Sequence, residues 1–508
     1  MGIANFTKWI KETFPGAFTL YTKRMQYDYI YIDMNYIFHS ALYGCVSKGE
    51  FLNKIKYSIK EIMKKYIVTK ELVLAIDGPS SYSKLLLQKE RRQMSVDYCD
   101  NELNSIYLTP GTSLMFDILK DLEIYSKTIF SDYLYLKPKV KILSFMDNDE
   151  GEIKMYRELY KNASTYPRSS HLIIGIDSDL FLLAFNARPF VNIDIAMRKK
   201  FTTTIFSLES FLDALKLKTK RVSMTNNSYR SEFTFVCLLL GNDYFPKIKG
   251  IGVKKLFYAY FNYCKYNNHH PAIINMAGNI NFNSMNMFLS YVNMYTPAKY
   301  KPKENIKDIY DIVPHYLESI LWCLDMYSDG VCKKYDHYYL NGNDGPTATD
   351  IQIYTMMTNN KPVLIPRSNE KPYDYRIYSI ILLPRDLRIN YKPEIEKIIE
   401  EDFKALYAYD QCVICKNNKK ELSRNKVSRD DIMKIIKDAN VKIRSPNFDL
   451  KTKSNNENTK EKNKKKLKII DKDIKKFTDN ITKHRKKHQY VLTAKEIVTI
   501  SNRLKEVL

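Results

Sequence analysis

The sequence predicts an α/β fold: a mostly parallel, twisted sheet flanked by helices, followed by a smaller mixed region and a basic tail. Three observations predict it. Short apolar runs alternate with longer amphipathic ones from Met1 to about Lys255. Carboxylates recur where the apolar runs end. Lys and Arg then accumulate toward the C-terminus, with 18 against 7 Asp and Glu in residues 451–508.

The elements follow in chain order. YIYIDMNYIFHSAL reads as a strand running into a helix, and FLNKIKYSIKEIMKKYI as a helix with apolar residues three and four apart. LVLAID is a strand, SYSKLLLQKERRQ and SLMFDILKDLEIY are helices, VKILSF is a strand, EIKMYRELYKN a helix and LIIGID a strand. TFVCLLLGND reads as a buried strand or helix. Beyond it ESILWCLDMYS is an apolar helix, a Tyr-, Gly- and Asn-rich loop spans Tyr338 to Pro346, and YSIILLP is a strand or a short helix ended by Pro384. Three segments result: 1–260, 261–445 and a Lys-rich, largely disordered arm over 446–508, with AKEIVTISNRLKEVL able to form one short helix. No internal repeat is visible.

With 508 residues, 44% of them hydrophobic, the chain can bury a large core. Lys and Arg give a formal net charge of +24, so the natural partner is a polyanion. No run of about 18 apolar residues exists, which excludes a membrane span. The N-terminus lacks a signal-peptide core, and Phe6 stands where a myristoylation motif needs Ser or Thr. Eight Cys scattered in apolar contexts fit a reducing compartment. The cytoplasm is therefore expected, although the Lys tracts also suit a nuclear address. Heavy use of Lys, Asn, Ile and Tyr is what an A+T-rich genome produces, as in a large DNA virus or a protist.

Seven carboxylates stand at the tips of these elements: Asp33, Asp77, Glu150, Glu152, Asp177, Asp179 and Asp243. A charge at the end of a buried run is costly unless something pairs with it. Seven imply one acidic pocket, which divalent cations would keep ionised. In parallel sheets function sits beyond the carboxyl ends of the strands, where Asp33, Asp77 and Asp177 fall. In extended conformation Asp177 and Asp179 point to the same side. Glu150 and Glu152 share a pocket only at a loop-to-helix junction, with Glu150 outside the first turn. Directly after Asp77, Lys84, Gln88 and either Arg91 or Arg92 form one helical stripe suited to a terminal phosphate, or else a solvated surface face.

At these residues the chain resembles the Xrn family of 5′→3′ exoribonucleases. The opening MGIANFTKWIKETFP carries Gly2, Phe6, Trp9 and Pro15 in register, and DMN (Asp33–Asn35) with His39 matches a first catalytic motif. AIDG (Ala75–Gly78), TPG (Thr109–Gly111), EGEIK (Glu150–Lys154), GIDSDL (Gly175–Leu180) and LLLGNDYFP (Leu238–Pro246) follow in family order. HYLESILWCLDMYSDG (His315–Gly330) and ATDI (Ala348–Ile351) are similar to the start of the family's second region.

The resemblance implies a nuclease core of the PIN and flap-endonuclease type over residues 1–260. It also implies processive hydrolysis of single-stranded RNA bearing a 5′-monophosphate, with two Mg²⁺ or Mn²⁺ held by the seven carboxylates. Lys84, Gln88, Arg91 and Arg92 would grip the 5′-phosphate, and His39 would stack on the first base. The bland reading of His39 is a histidine packed in the core at a helix start. A decapping enzyme is the implied partner, and the chain is expected to be monomeric.

The departures are specific. Where the family places a Trp-rich stretch, this chain has VCKKYDHYY, with Tyr335, His337, Tyr338 and Tyr339 but no Trp. PKIKGIGVKKL (Pro246–Leu256) looks like the helix-hairpin-helix of flap endonucleases, where Gly250, Gly252, Lys254 and Lys255 would meet a nucleic-acid backbone. A structure-specific DNA nuclease is therefore the alternative, and an inactive RNA-binding scaffold the third reading. Cys412 with Cys415, and His484 with His488, have ligand spacing for zinc but lie about seventy residues apart.

Overall fold

The computed structural model describes residues 2–95, 103–131, 137–199, 202–220, 226–275, 277–340, 342, 344–369, 373–383, 393–402 and short stretches between 463 and 504. Cys412, Cys415, His484, His488 and most of the basic arm lie outside them. Within the arm, the described residues between 463 and 476 are helical, as a run rich in Lys, a good helix former, allows.

The elements are α1 (Phe6–Thr13), β1 (Phe18–Leu20), β2 (Met25–Asp33), α2 (Met34–Leu42), α3 (Lys48–Lys65), β3 (Tyr66–Ala75), α4 (Tyr82–Ser95), α5 (Ser113–Ser126) and β4 (Lys139–Leu143). They continue with α6 (Gly151–Thr165), β5 (His171–Ile174), α7 (Asp179–Asn186), β6 (Ile193–Lys199), β7 (Thr202–Ser207), α8 (Leu208–Thr219), α9 (Asn226–Leu238) and α10 (Val253–Tyr266). The rest are α11 (Phe282–Tyr295), α12 (Ile306–Asp329), α13 (Ala348–Met357), α14 (Tyr375–Leu382) and α15 (Pro393–Asp402). Contacts divide the chain into two units: Met1–Gln88 with Tyr107–Ser379, and Lys89–Ile106 with Ile380–Leu508.

The first unit is built on a seven-stranded sheet of order β1-β7-β6-β5-β2-β3-β4. Strands β6, β5, β2, β3 and β4 run parallel, and β7 and β1 extend that edge antiparallel. The central strands are covered on both faces, so Ile30, Tyr31 and Ile32 are all buried and read as a continuous apolar run. The chain leaves β2 toward β3 and β4 and then returns to β5 on β2's other side. That reversal opens a crevice at the carboxyl ends of β2, β3 and β5.

One reading is corrected and two open ones are resolved. The helical pattern of FLNKIKYSIKEIMKKYI stops at Lys65, because Tyr66 and Ile67 already pair with Met25 and Gln26 in the sheet. TFVCLLL belongs to the α9 helix and the turn after it, and YSIILL is helical in α14. The β6–β7 pair is an addition to the sequence reading, because TTTIFS in β7 carries no apolar–polar alternation.

The opening segment is seated by aromatic packing. Trp9 stacks on Phe257 of α10 with centroids 3.8 Å apart, and Phe6 contacts Phe181 edge-on. Such pairs contribute about 1 kcal/mol each beyond burial. They bring Gly2 against α7: a Cβ there would lie 2.6 Å from Asp179 Oδ1.

Candidate active site

Asp33 closes β2 and caps α2, its carboxylate accepting from the N–H groups of Asn35 (3.0 Å) and Tyr36 (3.3 Å). Burial, then the nearby Asp77 carboxylate, push its pKa up to about 7. Asp77, two residues past β3, accepts from Gly151 N at 2.7 Å and from the Asn35 amide. Asn35 in turn accepts from Asp77 N at 3.3 Å, so one side chain ties the ends of two neighbouring strands. Gly151 fits closely there: a Cβ would stand 3.1 Å from Asp77 Oδ1 and 3.2 Å from Ala75 O, and those atoms would have to give by a few tenths of an ångström.

Glu150 is the N-cap of α6, with extended backbone (φ −63°, ψ 152°), and Glu152 lies in the first turn. Glu150 accepts from the Tyr244 hydroxyl at 2.7 Å and pairs with Lys84 Nζ at 2.6 Å. Lys84 also reaches Asp243 at 2.8 Å. Burial works against the Lys84 charge, but Glu150 and Asp243 outweigh it and hold its pKa well above the ordinary value.

Asp177 and Asp179 do not lie on an extended strand. Ser178 between them has helical backbone (φ −70°, ψ −20°), and Asp179 opens α7. Both nevertheless face the same group: Glu152 is driven well above the usual carboxylate range by burial, then by Asp177, Asp179 and Asp33. Burial first raises Asp179 to about 7, with Asp243 and Asp177 adding to it and Lys84 opposing. Asp179 Oδ1 is buried without a hydrogen-bond partner. All seven carboxylates are thus linked through mutual electrostatic contact or through Lys84.

Lys84 and Gln88 share a face of α4, and Gln88 Oε1 accepts from the Tyr378 hydroxyl at 3.0 Å. Arg91 and Arg92, half-buried further along α4, fall in the second unit. His39 is exposed on the last turn of α2, which removes the core-packed reading. The sequence reading gives Asn35 and Tyr244 no role of their own, although both lie inside the DMN and LLLGNDYFP segments. Asn35 follows an Asp N-cap by two residues, which was its one available signal.

The comparisons bear on this arrangement. The family model described as the XRN 5′-3′ exonuclease N-terminus matches residues 1–102 and 93–193. Residues 1–193 are thus similar to the N-terminal region of the Xrn family. Six of the seven carboxylates, His39 and the α4 stripe lie within the matched Xrn residues, while Asp243 lies beyond them. The 5′-3′ exoribonuclease 1 of Saccharomyces cerevisiae is 21% identical over 345 residues, which cover 58% of this chain. That alignment spans only 23% of the yeast protein. Solved structures of the catalytic core of Rad2 in complex with DNA substrate match with TM-scores of 0.32 and 0.30 at 13% identity. They cover 66% and 65% of this chain, and 97% and 98% of theirs.

In this chain the Trp-free loop anchors α4. Tyr82 N donates to Tyr335 O and Ser83 Oγ to His337 O, both at 2.7 Å. Tyr335, His337 and Tyr339 are buried, His337 against Trp322, whereas Tyr338 is half-exposed with its ring edge-on to Tyr82. The glycine segment lies at a groove of about 650 Å³ lined also by Lys8, Trp9 and Lys247. Gly250 has φ +84°, Gly252 caps α10 without a side-chain bond, Lys254 pairs with Glu12 at 3.1 Å, and Lys255 is exposed. No described helix is long and apolar enough to cross a membrane.

Proposed function

We propose that this chain is a metal-dependent 5′→3′ exoribonuclease that removes mononucleotides from single-stranded RNA carrying a 5′-monophosphate. The observation that carries this reading is Lys84, an α4 ammonium held between Glu150 and Asp243 inside the carboxylate cluster. One basic helix thereby meets the acidic crevice, as a terminal phosphate next to a hydrolytic centre requires.

The donor set fits divalent cations. Every donor is a carboxylate oxygen, one of them buried and unpartnered, and burial followed by neighbouring carboxylates raises the pKa values of Asp33 and Asp179. Among the described residues no three acidic, His or Cys side chains stand close enough to chelate an ion as they are. Asp33, Asp77, Glu150, Glu152, Asp177, Asp179 and Asp243 would hold two Mg²⁺ or Mn²⁺ after closing on them. Such ions would acidify a water and stabilise the leaving oxygen. Asn35 keeps Asp33 and Asp77 in register, and Tyr244 orients Glu150.

The α4 spacing of Lys84, Gln88, Arg91 and Arg92 supports assigning the 5′-phosphate to that helix. Lys84 would turn from the carboxylates to the phosphate as cations take over its neutralising role. His39 supports stacking on the first base, and Tyr338 is the ring of its loop with a face to offer a second. Decapping is the class of reaction that produces 5′-monophosphate ends, so a decapping enzyme would supply substrate. The groove at Gly250 and Gly252, with Lys254 and Lys255, supports a backbone contact and keeps a structure-specific DNA nuclease as the second reading.

Incubating the protein with Mg²⁺ and 5′-monophosphate RNA, 5′-triphosphate RNA or a DNA flap separates these readings. Mononucleotides from the first substrate alone are expected. Cleavage only at the flap junction would replace the proposal with the second reading.

A further inference from the structure

Helix α2 begins at Asp33 and ends by displaying two flat side chains. His39 is exposed in its last turn, and Tyr43, the C-cap residue four positions on, has 90% of its surface in solvent. The φ of −62° at Tyr43 keeps its Cβ on the helical path, so the two rings are same-face neighbours. The backbone that carries Tyr43 is fixed. Cys45 N donates to Leu42 O (3.2 Å), Cys45 Sγ to Ala41 O (3.0 Å) and Val46 N to Glu50 (3.0 Å). Lys54 Nζ reaches the backbone carbonyl of Tyr43 at 3.4 Å and Glu50 at 3.1 Å.

A single exposed tyrosine is common on protein surfaces. This one differs by its register with His39, by capping the helix that begins at Asp33, and by the Lys54 ammonium at its backbone carbonyl. In this turn Tyr43 and Val46 are the exposed large apolar side chains, flanked by the polar Ser40, Ser47 and Lys48. An exposed ring on a fixed backbone, with an ammonium at its own carbonyl, suits a nucleobase with its phosphate.

We propose that Tyr43 is a stacking platform for one base of a single-stranded RNA substrate, extending the His39 face away from the acidic crevice. This rests on the exoribonuclease reading. The platform would add affinity for single strands without reading sequence, since every base presents a flat face.

The test is RNA affinity by fluorescence anisotropy in an Asp179→Asn background, which prevents turnover. The probe is 3′-labelled 5′-monophosphate oligouridylate, intact or with one abasic site at successive positions. Tyr43→Ala is expected to bind intact RNA about tenfold more weakly, while Tyr43→Phe and Tyr43→Trp bind like the parent. One abasic position should weaken the parent to a similar degree and add nothing to Tyr43→Ala. Equal affinity of Tyr43→Ala and the parent, or additive penalties at every abasic position, would overturn the platform alone. A parent that binds no RNA would overturn both the platform and the reading beneath it.

Discussion

At the scale of single residues, the site works through side chains that hold other side chains. The Asn35 side chain holds Asp77 through both its amide atoms, its backbone N–H meets Asp33, and it carries no charge itself. Replacing it with Ala should lower turnover about 10–100-fold, the usual effect of removing a group that orients ligands, with the KM for RNA little changed. Steady-state kinetics on 5′-monophosphate RNA would check this, and a loss confined to KM would contradict it. Lys84→Met should lower the stability of chelator-treated protein by about 3 kcal/mol, because Glu150 and Asp243 lose their counter-charge. Burial already holds Glu150 above its ordinary pKa, so at lower pH the stranded carboxylates take up protons and the penalty shrinks. Thermal unfolding at pH 8 and pH 6 would measure both effects. The seven carboxylates and the Lys84 stripe were legible because chemistry-bearing residues follow apolar runs. Asn35 and Tyr244 were not, since an amide and a phenol signal nothing until their partners, 42 and 94 residues away, are in place.

At the scale of elements, the strand ends carried the prediction and the turns between elements limited it. Asp177 and Asp179 reach the crevice from a helix start, not from an extended strand, and no local pattern in GIDSDL separates those geometries. Strand β5 also carries a testable buried group. His171 stacks on Tyr29 at 5.2 Å, and its nitrogens meet the Tyr31 and Ser169 hydroxyls at 3.1 and 2.9 Å. Burial lowers its pKa from 6.5 to about 4. The unfolded chain therefore takes up a proton below pH 6.5 that the folded chain refuses, and stability is lost as pH falls from 6.5 toward 4. Asp33 and Asp179, with raised pKa values, act in the opposite sense between about 4 and 7. The informative quantity is thus the melting-temperature difference between parent and His171→Gln. It should shift in favour of the variant as pH drops from 7.5 to 5, and a constant difference would refute this role.

At the scale of the whole molecule, an acidic crevice sits within a chain of net charge +24. RNA affinity should fall steeply with salt as phosphate contacts release counterions. Removing residues 451–508, which carry a net +11, should flatten the slope of log affinity against log salt. An unchanged slope would exclude the arm from binding. The sheet order and its reversal beside β2 were only implicit in the sequence, because periodicity gives strands but not their neighbours. The central claim is that carboxylates from separate elements cage cations beside Lys84. Counting bound Mn²⁺ by electron paramagnetic resonance in the wild type and in Asp179→Asn tests it most directly. Two tightly bound ions in the wild type, with at least one lost in the variant, is the predicted result. Equal Mn²⁺ binding by both proteins, or none by either, would contradict it.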